Sequence, residues 1–274
     1  MSIITLTTDF GAADWFVGTM KGVVLGIAPR AQMVDISHDI AAGDIRAGAF
    51  ALAASCTFFP KQTIHVAVVD PGVGSRRRAI AVQTANYVFV GPDNGVLSLA
   101  LRREKIKAVH QITNEQLFVH PVSNTFHGRD IFAPIAAKLS KGLPIGKVGA
   151  RLKNFVQLTW PEPQHTANSI KGEIVYIDRF GNAITNIGNA TLAAPAEGSC
   201  EIFLRGKRLC ALHSFYQAVP HGSVVAVPGS SGFLELAVNG GSAAKKHRLN
   251  IADAVIVQLD TDFTDGHGLF RVNR

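Results

Sequence analysis

Short apolar runs that end abruptly in polar tips recur along the N-terminal part of the chain. Ile3 to Thr7 reads as a strand closing on Thr8, Asp9, Phe10 and Gly11. Asp14 to Ile27 carries Trp15, Val17, Met20, Val23, Val24 and Ile27 at near-helical spacing and stops before Pro29, which predicts a helix. Gln32 to Ile36 is a second strand, tipped by Ser37, His38 and Asp39. Asp44 is placed to cap a helix over Ile45 to Ala54, and a third strand runs through Ile64, Val66, Val68 and Val69 into Asp70. This strand-helix-strand rhythm builds parallel strands whose polar tips share one edge, so Asp9, His38 and Asp70 are expected near one another.

The third tip reads VVDPGVGSRRR from Val68 to Arg78. Pro71, Gly72 and Gly74 stop the strand, leaving Asp70 at the crevice where open α/β sheets bind ligands. Arg76, Arg77 and Arg78 follow either as a surface basic cluster or as partners of that carboxylate. Downstream, Ala79 to Gln83 and Tyr87 to Val90 read as strands, GPDNG (Gly91 to Gly95) as another glycine-flanked tip, and Val96 to Arg102 as a helix. A further helix is expected over Asp130 to Leu139, with His127 on the loop that feeds it. Leu158 to Ser169 reads as a linker. Beyond it come glycine-separated β-rich pieces, Lys171 to Asp178, Ala183 to Ile187, Cys200 to Leu204, Val224 to Val227, Phe233 to Val238 and Ala254 to Leu259, which suit a small barrel or sandwich. The expectation is an α/β protein: an N-terminal domain over 1–160 with a mostly parallel sheet, a β-rich domain over 170–260, and a frayed tail over 261–274.

At 274 residues, 47% of them hydrophobic and 17% charged, the chain can bury a substantial core without staples. Its three cysteines, Cys56, Cys200 and Cys210, lack metal or redox spacing and fit a reducing cytoplasm. The N-terminus has no signal-peptide pattern, and no apolar run is long enough to span a membrane, so a soluble protein with no membrane partner is expected. The net charge of +7 is scattered rather than interleaved with aromatics, which argues against a nucleic-acid partner. The phosphate-loop, dinucleotide, zinc-protease and serine-hydrolase motifs are missing from the sequence.

Read in order, TTDFG at Asp9, VVDPGVG at Asp70, the arginines after it, GPDNG at Asp93 and Asn94, NTFHGRD around His127, YIDRFGNAITNI from Tyr176 to Ile187 and PGSSGFLELAVNGGSA from Pro228 to Ala243 resemble one family. It is that of the S-adenosyl-L-methionine hydrolases (adenosine-forming), or S-adenosylmethionine hydroxide adenosyltransferases, related to fluorinase and chlorinase. The resemblance implies an α/β domain followed by a β-barrel domain, in a homotrimer with active sites at subunit interfaces. It implies a catalytic set of Asp70, Arg77 and His127, with Arg77 chosen because it falls seven positions after the aspartate. Asp9 would bind the ribose hydroxyls, Asp178 and Ser230 the methionine amino and carboxylate ends, and Phe180 and Asn182 the adenine. Asp93, Asn94, Phe126, Phe233 and Val238 would complete the substrate contacts. No metal or other cofactor is implied; S-adenosylmethionine is the substrate.

The chemistry is consistent with these residue types. A sulfonium leaves C5′ as a neutral thioether and requires no acid, so the site has only to hold a water in line and take its proton. Asp70 or His127 could be the base, and Arg77 could stabilise the forming hydroxide. A carboxylate at position 70 would repel a halide, whereas the halogenating relatives carry tyrosines at the positions matching Asp70 and His127. Two other classes compete: a metal-dependent phosphatase or nuclease using Asp9, His38, Asp70, Asp93 and His127, and a non-catalytic sensor of S-adenosylmethionine or adenosine.

Overall fold

The computed structural model describes residues 2–192 and 200–259. The expected tail at 261–274 lies outside the described residues. The chain divides into two compact units, the first ending at Thr159 and the second beginning at Trp160.

In the first unit, β1 (Ile3–Thr8), α1 (Phe16–Ile27), β2 (Gln32–Ser37), α2 (Ile45–Ser55) and β3 (Ile64–Val68) follow the expected rhythm. They are succeeded by β4 (Ala79–Thr84), β5 (Val88–Pro92), α3 (Ser98–Leu101) and β6 (Ile106–Gln111). A π-helical turn, Gly128–Phe132, then leads into α4 (Ala133–Ser140). The sheet order is β2-β1-β3-β5-β4-β6. The pairs β1 with β2, β1 with β3 and β3 with β5 are parallel, whereas β4 runs antiparallel to both β5 and β6.

Every residue of β3 is buried, because the sheet is covered on both faces. Ile64, Val66 and Val68 pack with Met20 and Val24 of α1 and Ile135 of α4. Ala67, beside Val69, points the other way, into a core with Leu52 of α2 and Leu97 next to α3. Each fully buried aliphatic side chain here stabilises the unit by about 1.5–3 kcal/mol. Asp44 caps α2 as expected, its Oδ1 accepting from the Ala47 amide at 2.9 Å.

The second unit contains β7 (Gln164–His165), β8 (Ser169–Ile177), β9 (Ala183–Gly188), β10 (Cys200–Leu204), β11 (Lys207–Ala211), β12 (Val224–Pro228), β13 (Phe233–Val238), α5 (Ala243–His247) and β14 (Ala254–Leu259). Its strands follow the order β11-β10-β14-β8-β9-β13-β12, with β7 paired to β8. A bridge between Leu212 and Ala226 joins the two ends of that order. The result is a nearly closed barrel filled by Ile174, Ile187, Ile202, Leu236 and Val257.

Three local expectations change. The first helix starts at Phe16 rather than Asp14, and Trp15 is 70% exposed rather than on the buried face. The expected helix over Val96 to Arg102 shrinks to the four residues of α3. His127 occupies the N-cap of the π-turn rather than a loop ahead of an α-helix, because the turn begins at Gly128. The strands β6 and β11 were not expected: the first is a sheet edge with Ile106 and Lys107 exposed, and the second follows a tight Arg205-Gly206 turn.

Candidate active site

Thr8, the last residue of β1, pairs with Val68 of β3, so Asp9 and Asp70 leave the sheet at the same edge. Asp70 then enters the Pro71–Gly74 turn. Gly74 has φ +76°, and a Cβ there would come 2.2 Å from the Asn124 carbonyl oxygen. Only glycine permits this approach, which sets the turn directly against the segment that carries His127.

Across that junction the three side chains meet. Arg77 donates from Nε to Asp70 Oδ1 at 3.0 Å and Oδ2 at 2.9 Å, and from Nη2 to Oδ2 at 2.5 Å. The same Nη2 lies 2.6 Å from His127 Nδ1. The Asp70 and Arg77 side chains are only 4% and 11% exposed, so the pair is shielded from solvent. A guanidinium only donates, so Nδ1 must accept and the neutral imidazole carries its proton on Nε2. Burial first, and then the Arg77 charge, hold the His127 pKa below its ordinary value, against the opposing pull of Asp70 and Asp130. The guanidinium also lies 5.4 Å over the Phe132 ring. Arg78 is turned to Asp93 instead, and Arg76 is exposed, so of the three arginines Arg77 is the one that meets Asp70.

Asp70 and His127 open onto a cleft of about 310 Å³ together with Asp9, Phe10, Phe16 and Phe126. Phe126 meets Phe10 and Phe16 edge-on at 5.8 and 5.1 Å, making one wall aromatic. Asp9 Oδ2 accepts from the Gly43 amide at 2.8 Å. The floor is tight at Gly128, where a Cβ would lie 3.1 Å from Met20 Sδ and 3.2–3.3 Å from Phe126 and Phe10.

Asp93 and Asn94 do not line this cleft. Asp93 accepts from Arg78 Nε at 2.7 Å and from the Val156 amide at 2.7 Å. Asn94 ties its own loop together, donating to the Val69 carbonyl and accepting from the Val96 amide. His38, just after β2, lies beside the Asp9 tip as expected, its carbonyl accepting from the Gly11 amide at 2.8 Å, while its Nδ1 is 2.8 Å from Thr8 Oγ1 and its Nε2 3.1 Å from Asp35 Oδ1. Among the described residues no group of three or more His, Cys, Asp or Glu is arranged to hold a metal ion. Asp70 and His127 instead point their acceptor atoms at a guanidinium, which would repel a cation.

The second unit has its own cleft, of about 990 Å³, which brings together Asp178, Phe180, Asn182, Ser230 and Val238. Asp178 anchors the turn after β8 by accepting from the Asn182 amide at 2.8 Å and its Nδ2 at 3.0 Å. Phe180 stands 76% exposed at this turn. Phe233 is not among the residues lining the cleft. Sequence reasoning missed Tyr216 and Glu235, which also line it and share a 2.7 Å hydrogen bond from the Tyr216 hydroxyl to Glu235 Oε1. A lone acid inside the apolar run FLELAV was the available signal.

Models of the SAM hydroxide adenosyltransferase N-terminal and C-terminal domains match residues 4–149 and 172–256. A Salinispora arenicola protein named (R)-S-adenosyl-L-methionine hydrolase is 39% identical over 246 residues, covering 88% of this chain and 92% of that protein. A Thermus thermophilus protein of the same name is 35% identical over 266 residues, 94% of this chain and 100% of the relative. A Nocardia brasiliensis fluorinase is 27% identical over 290 residues, 94% and 97% of the two chains. The crystal structure of an uncharacterized conserved protein from Thermotoga maritima aligns with a TM-score of 0.88 at 34% identity, over 94% of this chain and 100% of that one. Matched across both of its units, the chain belongs to the SAM hydroxide adenosyltransferase family.

Proposed function

We propose that the protein hydrolyses S-adenosyl-L-methionine to adenosine and L-methionine, with Asp70, Arg77 and His127 acting on the attacking water. The observation that carries this reading is the single guanidinium joining a buried carboxylate to a neutral imidazole beside a nucleoside-sized cleft. Water attacks C5′, the C5′–S bond breaks, and its electron pair leaves with sulfur as the neutral thioether of methionine. With its proton on Nε2, His127 donates to the water oxygen and orients it. Asp70 is then the acceptor for the water's proton, and Arg77 stabilises the hydroxide character that develops. No cofactor has a task in this scheme, because the sulfonium is already a good leaving group.

In this reading Asp9 takes the ribose hydroxyls, Phe126 borders the sugar, and Asp178, Phe180, Asn182, Ser230 and Val238 bind the adenine and amino-acid ends. Asp93 and Asn94 shape the site through the loops they hold. The substrate is the (R)-sulfonium epimer, as the names of the relatives indicate for those proteins. The chain works as a cytosolic homotrimer in which one subunit's first unit is completed by another's second unit. Three buried free thiols support the compartment. Light scattering should then give three times the 29.2 kDa chain mass.

Turnover of each sulfonium epimer in ¹⁸O-labelled water tests the reaction. Label on the 5′ oxygen of adenosine, formed from the (R)-epimer in the presence of a chelator, is the expected result. Formation of no adenosine from either epimer would overturn the reading.

A further inference from the structure

We propose that Glu235, held by Tyr216, is the second carboxylate that recognises the α-ammonium group of the substrate and so selects a sulfonium bearing an amino-acid chain. This rests on the hydrolase reading and adds a specificity residue to it.

Glu235 lies in the middle of β13, where its neighbours Leu234 and Leu236 are both fully buried and it is itself only 5% exposed. A carboxylate in such a place needs a compensating charge, since burial of an unpaired ion is strongly unfavourable. Its hydrogen-bond partner is a neutral phenol, the Tyr216 hydroxyl at 2.7 Å on Oε1. Among the described residues no lysine, arginine or histidine forms an ion pair with it. The nearby charge is of the same sign. Asp178, on the same cleft, pushes the Glu235 pKa up further after burial has raised it, against the opposing effect of Tyr216.

The carboxylate is nevertheless built in. Gly229, next to Ser230, leaves room for it, because a Cβ there would stand 2.9 Å from Glu235 Oε2. This directs the acid toward the Ser230 end of the cleft, which Asp178 also lines. Two acids that share one cleft and have no basic ion-pair partner among the described residues form a receptor for a cation. The proposed substrate offers an ammonium with three N–H donors at its amino-acid end, more than Asp178 can satisfy while it holds Asn182.

The test compares three sulfonium substrates in wild type and in Glu235→Gln, which keeps size and shape. They are S-adenosylmethionine, its decarboxylated form, which keeps the ammonium, and 5′-dimethylsulfonio-5′-deoxyadenosine, which lacks the whole chain. The expected result is a KM rise of about 10- to 100-fold for the first two, with kcat changed far less. The preference for S-adenosylmethionine over the truncated sulfonium should fall by the same factor. Tyr216→Phe, which leaves the carboxylate without its holder, should shift the same ratio in the same direction by a smaller amount.

Equal losses on all three substrates, or an unchanged KM for S-adenosylmethionine, would overturn the proposal. A loss confined to the substrate that retains its carboxylate would do so as well, since it would mean that Glu235 binds that group as a protonated acid. Calorimetric binding of the same compounds keeps the question separate from catalysis. Wild type that binds S-adenosylmethionine without hydrolysing it would sink the hydrolase reading, and the Glu235→Gln titration would still decide the ammonium contact.

Discussion

One nitrogen of Arg77 serves two partners: Nη2 donates to Asp70 Oδ2 at 2.5 Å and lies 2.6 Å from His127 Nδ1. Its two hydrogens are thereby divided between the acid and the imidazole, while Nε supports the acid from the side. A lysine ammonium has no such fork. Arg77→Lys should therefore lower kcat by about 100- to 1,000-fold with a much smaller change in KM, as read in steady-state kinetics. Retention of near-normal kcat would show that the fork does not matter.

His127 must be neutral to accept from Arg77, and its pKa is held below the usual 6.5. Because the shift is downward, the neutral form persists to lower pH than in a free histidine, and activity should fall only beneath 6.5. A pH profile of kcat/KM should show that acid limb. In Arg77→Met, where the repelling charge is gone, the limb should move upward. A limb that stayed in place would assign the titration to another group.

Gly128 sits against Met20, Phe10 and Phe126, where a methyl would stand 3.1–3.3 Å from their side chains and force them to give by a few tenths of an ångström. Gly128→Ala should displace the aromatic wall, reducing kcat/KM by about tenfold and stability by about 1–3 kcal/mol. Denaturant unfolding and kinetics on the same sample would check both effects. A variant with unaltered stability would mean that the floor can yield.

His65 is fully buried in β3, its Nδ1 2.8 Å from Thr5 Oγ1 and its ring stacked on Phe89 at 5.1 Å. Burial lowers its pKa to about 4. The folded value lies below the unfolded one, so folding disfavours the proton. Stability is then complete above about pH 6.5 and declines as pH falls toward 4, by about 3 kcal/mol in total at 1.4 kcal/mol per pKa unit. Chemical denaturation at several pH values should show this slope in wild type and a weaker one in His65→Gln.

Much of this was readable from the chain. The runs ending at Asp9 and Asp70 read as strands on their Ile, Leu and Val content, although the buried Thr5, Thr7 and His65 interrupt the apolar sequence of β1 and β3. Asp70 stands out at a glycine turn, whereas Arg77 and His127 join it only through the family resemblance, Arg77 by its place seven positions after the aspartate. Edge strands such as β6 were hidden, since Ile106 and Lys107 face solvent and break the apolar pattern. Asp93 and Asn94 are expected among the substrate contacts; in the structure their charge and amide also fasten loops, a use that depends on partners distant in sequence such as Val156. Glu235 was concealed in plain sight because its neighbours mark it as core, and only the cleft beside it reveals why an acid is tolerated.

At Gly74 the backbone of one loop touches the backbone of the next, with no side chain between them to flex. Motions that part the two loops at this point must therefore separate main chain from main chain. Heat or denaturant should silence all three reacting groups in a single step, with loss of activity coinciding with loss of structure in the first unit.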